Sequence, residues 1–127
     1  MTFAMRKDLA VGYDEALAKL PDALKSEGFG VLTDIDIQKT LKAKINVDFR
    51  RYKILGACNP PLAHEALSTM LEVGLMLPCN VVVYENDDGK ATVLAIDPTA
   101  TVAAAQPELT KMATAVRDKL ARVLEKL

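Results

Sequence analysis

The turn residues Asn86-Asp87-Asp88-Gly89 separate two runs that are apolar at nearly every position, Val81-Val82-Val83-Tyr84 and Ala91-Thr92-Val93-Leu94-Ala95-Ile96. This arrangement reads as a β-hairpin, and it commits the chain to an antiparallel sheet. Apolar residues fill both alternating sets: Val81 and Val83 against Val82 and Tyr84, then Val93 and Ala95 against Leu94 and Ile96. A sheet with one wet face alternates apolar with polar residues. Both faces here are therefore expected to be covered. Helices cover one. A second subunit is the simplest cover for the other, since two-fold dimers are the commonest oligomers. Intervening helices of the same chain covering both faces are the alternative.

The last segment supplies one such helix. Pro107 marks its first turn. Leu109, Met112, Ala113, Val116, Leu120, Val123, Leu124 and Leu127 recur on one helical face, with Lys111, Arg117, Lys119 and Arg122 on the other. Upstream, Leu17, Leu20 and Leu24 give a helical stripe over Tyr13 to Ser26, and Gly28 stops it. Pro21 predicts a kink or two short helices, because proline removes a hydrogen bond and clashes with the preceding turn. Strands are expected over Thr2 to Leu9, Phe29 to Ile37 and Asp48 to Ala57. Short helices are expected over Gln38 to Lys44 and from Pro61 to about Met70. The order is β-α-β-(α)-β-α-β-β-α, an α+β arrangement with a mostly antiparallel sheet. No repeat, linker or low-complexity segment interrupts it.

The 127 residues are expected to form one domain, 1–127, large enough for a single hydrophobic core. A net charge of −1 argues against nucleic acid as a partner, because the longest cationic runs are the pairs Arg6-Lys7 and Arg50-Arg51. With no Trp and 5% aromatic residues, base-stacking platforms are not expected either. The first residues lack the apolar stretch of a signal peptide, and no run approaches the ~20 apolar residues that span a bilayer. The expectation is a cytoplasmic protein with no membrane partner and reduced thiols.

Chemistry, if present, centres on Gly56-Ala57-Cys58-Asn59-Pro60-Pro61 and Leu77-Pro78-Cys79-Asn80, which hold the two cysteines of the chain. Each pairs a cysteine with an asparagine next to proline, at the edge of an apolar strand. No complete catalytic constellation surrounds them, so catalytic residues and cofactors are not assigned. Three readings of the thiols stay open. They are small buried hydrophobes; or a reversibly oxidised pair, which needs neighbouring strands and a lowered pKa on one sulfur; or ligands to a soft metal such as Cu(I) or Zn, with His64 as a third ligand. His64, the only histidine, is one turn into the helix after Cys58, where it is either a base toward the thiol or an exposed helix residue. Asn59 and Asn80 suit the satisfaction of backbone groups at turns, with ligand contact as the alternative. The candidate ligand site is therefore Cys58, Asn59, Cys79, Asn80 and His64.

Two further features are weaker. Asp34 and Asp36 share one face of a strand, and salt bridges to Lys39, Arg50 or Arg51 are expected in preference to acid–base or cation chemistry. Gly74-Leu75-Met76-Leu77-Pro78 is an apolar loop expected to pack into the core, or else to line a small pocket or a dimer contact.

Taken together, four runs resemble DUF302, a domain of unknown function: Gly28-Phe29-Gly30-Val31-Leu32-Thr33-Asp34-Ile35-Asp36, Tyr52-Lys53-Ile54-Leu55-Gly56-Ala57-Cys58-Asn59-Pro60, Gly74-Leu75-Met76-Leu77-Pro78-Cys79-Asn80-Val81-Val82-Val83-Tyr84 and Ile96-Asp97-Pro98. The resemblance covers almost the whole chain. Asp34 stands where the family often has glutamate, and Pro21 is unusual in the family's first helix. The resemblance implies a TBP-like fold, a curved antiparallel sheet with helices packed on it, usually as a homodimer. It implies no DNA binding, because a fold does not carry a function.

Overall fold

The computed structural model describes residues 3–127. The elements run β1 (Ala4–Asp8), α1 (Tyr13–Ser26), β2 (Gly30–Asp36), α2 (Ile37–Ile45), β3 (Tyr52–Cys58), α3 (Pro60–Thr69), β4 (Cys79–Glu85), β5 (Ala91–Ile96), α4 (Val102–Ala105) and α5 (Thr110–Glu125). Two 3-10 turns, Leu71–Met76 and Pro107–Leu109, complete the order. The expected α+β class is therefore the observed one. The strand expected from Thr2 begins outside the described residues; the described part is Ala4–Asp8.

The five strands form one sheet in the order β1-β5-β4-β3-β2, antiparallel at every pairing. The hairpin β4–β5 lies at its centre, with Val81 opposite Ala95 and Val83 opposite Val93. These four side chains are fully buried beneath α1 and α5. Buried Leu residues such as Leu20, Leu24 and Leu120 meet them from the helices, each contributing about 2 kcal/mol by its removal from water. The first strand is held last in sequence terms. β1 pairs with β5, and Lys7 Nζ donates to the carbonyls of Leu124 at 3.0 Å and Leu127 at 2.9 Å. A cation at that position complements the negative end of the α5 dipole, adding to the Leu127 N–H that the Leu124 carbonyl already accepts.

α1 is a single unbroken helix, which corrects the kink or break expected at Pro21. Pro21 is exposed, and the donor it lacks costs the helix a single hydrogen bond, to the carbonyl of Leu17. Buried Leu20, Ala23 and Leu24 hold both sides of it against the sheet. Gly28, at φ 83°, then ends the helix. Its N–H donates to Lys25 and that of Phe29 to Leu24, closing the turn that a left-handed glycine permits.

The helices leave the other face of the sheet open. Across it runs a row in register, Ile35 opposite Ile54, Ile54 opposite Val82 and Val82 opposite Leu94. Beside this row the rings of Tyr52 and Tyr84 stack at 5.7 Å. Ile35 is exposed and the rest of the row is half-buried, whereas the residues of the helix side are sealed. α2 buries none of its own residues. The alternative in which helices of one chain cover both faces is thereby removed for the described residues.

Candidate functional site

β3 and β4 are neighbours, and their antiparallel pairing brings the end of one beside the start of the other. Ala57 faces Cys79 directly and Cys58 faces Gly30 of β2. The two cysteine runs thus meet at one end of the sheet. There Cys58, Asn59 and Cys79 line a cavity of about 30 Å³. Leu62 and Ala66 of α3, and Met112 and Val116 of α5, make its apolar walls.

Asn59 is the best-defined member. Its side chain caps α3, accepting from the Leu62 N–H at 3.3 Å, and its Nδ2 donates to the Glu27 carbonyl at 3.3 Å. It is buried, and it ties the end of α1 to the start of α3. Glu27 is itself anchored: hydrogen bonds from Lys126 and Arg122 of the α5 end hold its carboxyl down at about 2. The turn role expected of Asn59 is therefore met through a helix cap.

The thiols differ. Both are free, with Cys58 half-buried and Cys79 buried. Burial, with a smaller contribution from nearby Cys58, pushes Cys79 up to about 11, so at neutral pH it is a thiol. Successive strand residues project to opposite faces. Cys58, one residue beyond the Ala57–Cys79 pair, therefore leaves the backbone on the opposite side from Cys79.

Two expected members are elsewhere. His64 is exposed on α3 and is not among the cavity walls. Asn80 is exposed within β4, opposite Gly56, and lines a separate groove with Leu77 and Ile96. Asn80 serves no turn, because the strand continues through it. The three-ligand soft-metal set is not assembled: among the described residues, no three His, Cys, Asp or Glu side chains are grouped to hold an ion. Nor is there an oxyanion hole at the start of α3. Pro60 and Pro61 carry no N–H, the Leu62 N–H is taken by Asn59 Oδ1, and the Ala63 N–H donates to the Asn59 carbonyl.

Asp34 forms the expected kind of contact, a salt bridge, but with another partner, and Asp36 forms none among the described residues. Asp34 pairs with Lys53 at 3.2 Å, and Asp36 caps α2 by accepting from the Lys39 backbone N–H at 2.9 Å. Neither bonds to Arg50 or Arg51. Arg51 instead bridges Glu85 at 2.6 Å and Asp14 at 3.0 Å, with its guanidinium over the Tyr13 ring. The apolar loop expected in the core is largely outside it: Leu75 is 92% exposed and Met76 43%. The sequence reading missed Gly56. A Cβ there would lie 2.6 Å from Pro78 Cγ and run into Thr33 Oγ1, so only glycine lets the loop before β4 close on β3. Its signal was the lone glycine inside a strand pattern.

The model for the family described as "Domain of unknown function DUF302" matches residues 5–127. The chain belongs to the DUF302 family. This DUF302 domain is also similar to a solved relative, an uncharacterised conserved DUF302 protein from Bacillus stearothermophilus. That crystal structure is 34% identical, with a TM-score of 0.91 over 99% of this chain and 98% of the other. No curated protein matches the DUF302 chain. No described helix of the domain is long and apolar enough to cross a membrane.

Proposed function

We propose that this DUF302 domain is a homodimeric binding protein whose ligand is a small apolar molecule received behind Cys58, Asn59 and Cys79. One observation carries the reading: separate segments, β3, the start of α3 and β4, converge on a single apolar cavity at the end of the sheet. At about 30 Å³ it has room for about two water molecules. A ligand larger than that enters by displacing Leu62 or Met112, side chains whose rotamers can change without breaking a hydrogen bond. Pressurised xenon is the direct probe. Methyl NMR of the full chain is expected to show saturable shifts at Met112, Leu62 and Val116. Unmoved methyls there under xenon would remove the cavity as a binding site.

The dimer rests on the open face. Ile35, Ile54, Val82 and Leu94 form an apolar row, and burying it against a second copy removes it from water. Sedimentation equilibrium is expected to give twice the chain mass, and Val82→Lys to shift it to the monomer. A monomeric wild type at micromolar concentration would overturn this part.

A thiol-dependent redox role is the second reading, favoured by the exposure of Cys58 relative to Cys79. It requires Cys58 to react in the folded protein. Resistance of both thiols to alkylation under native conditions would end it.

A further inference from the structure

The 3-10 turn Leu71–Met76 stands over a second cavity, of about 100 Å³, closed on its other side by α4 and the Pro107–Leu109 turn. Its floor is apolar and sealed: Val73 is 1% exposed, Val102 4% and Leu109 2%. Its outer wall is the reverse, with Leu75 at 92% and Met76 at 43%. An enclosed apolar cavity of about 150 Å³ accepts benzene or xenon. The space is therefore that of a single ring or a branched hydrocarbon group. Exposed Leu75 and Met76 are the side chains that would cover an occupant, and covering it would remove them from water.

The rim has one sign of charge. Glu72 is the charged residue of the lining. Gln106, the other polar one, donates its amide to Glu108 at 2.5 Å, which brings a second carboxylate to the edge. Among the described residues neither Glu72 nor Glu108 is in an ion pair, in contrast to Glu27, Asp34 and Asp97. An anionic head group at this edge meets repulsion and a cationic one attraction.

We infer that the cleft between the Leu71–Met76 turn and α4 is a binding site for a small amine: an apolar body in the cavity, its protonated nitrogen at Glu72. The site is distinct from the cavity behind Cys58, although Val102 is a wall of both. Three features combine in it: a preformed apolar space, exposed apolar side chains placed to close over it, and an unpaired carboxylate at its mouth.

The test titrates the full chain with benzylamine and, in parallel, with benzoate, reading methyl NMR shifts near neutral pH. Benzylamine is expected to give saturable shifts at Val73, Val102 and Leu109, and benzoate to bind roughly tenfold more weakly, the scale of one partly screened charge contact taken with opposite signs. Glu72→Gln is expected to bring the two probes to within about threefold. Leu75→Ala is expected to weaken both several-fold through lost apolar contact. Glu72 and Leu75 are exposed, so neither variant threatens the fold. Absence of saturable benzylamine shifts at Val73 and Leu109 overturns the site. Equal binding of benzoate overturns its charge selectivity, as does a Glu72→Gln protein that still discriminates tenfold. Met112 and Leu62 report the other cavity in the same spectra, so either site can fail alone.

Discussion

Cys58-Asn59 and Cys79-Asn80 are the same dipeptide at the same end of the sheet, and their side chains go to opposite fates. In the first, the asparagine is buried and the cysteine half-buried; in the second, the cysteine is buried and the asparagine exposed. The difference lies in what the backbone does next. After Cys58 the chain leaves the strand, so Asn59 is free to turn inward and cap α3. After Cys79 the strand continues, and alternation forces Asn80 to the face away from Cys79. A motif read as a unit in sequence is divided in space by strand phase.

Gly56, opposite Asn80, offers the sharpest way to break this comparison. Gly56→Ala is expected to cost about 3 kcal/mol, because its methyl overpacks against Pro78 and Thr33. Urea denaturation measures it, and a neutral Gly56→Ala would mean that the loop entering β4 is not held against β3. Asn59→Ala comes next, at about 2 kcal/mol, since it removes a helix cap and leaves the Glu27 carbonyl without its partner. If Asn59→Ala and Asn80→Ala cost the same, the division drawn between the motifs is wrong.

The thiols extend the contrast to pH. Cys79 is held at about 11 in the folded protein against an ordinary 9.0. As pH rises, the unfolded chain gives up its proton first, so stability is unaffected below the ordinary value and falls between about pH 9 and pH 11. The expected loss is on the order of 2 kcal/mol, and Cys79→Ala should remove that part of the alkaline slope. Alkylation of the native protein should modify Cys58 and spare Cys79; equal rates at both would mean that Cys79 is not shielded. The smallest effect is expected at Asn80→Ala, within about 0.5 kcal/mol, as for an exposed side chain without partners.

What could be read from the sequence was what local pattern decides. The hairpin, the 3.6-residue stripe of α5 and the glycine stop of α1 all depend on neighbours along the chain, and all three stand in the structure. That the Cys58 run lies beside the Cys79 run followed once β3 and β4 were taken as adjacent; that strand phase sends the two thiols to opposite sides did not. His64 could not be placed from spacing, because the helical phase of α3 is fixed by its packing on α5 rather than by its own weak apolar pattern. Leu75 and Met76 misled for a related reason. Apolar composition predicts burial only where an element exists to cover the residue, and none of the described elements covers the outer side of the Leu71–Met76 turn.

Because β1 is hydrogen-bonded to β5 and Lys7 closes over the carbonyls of Leu124 and Leu127, the opening residues have no place to dock until nearly everything downstream exists. On a ribosome, the first strand waits, unpaired, while α1 through β5 are made. Such wide separation between partners slows folding and leaves a sticky strand edge exposed in the meantime. The charges of Arg6, Lys7 and Asp8 fall within that strand. Charged side chains on a strand edge are a general guard against edge-to-edge pairing.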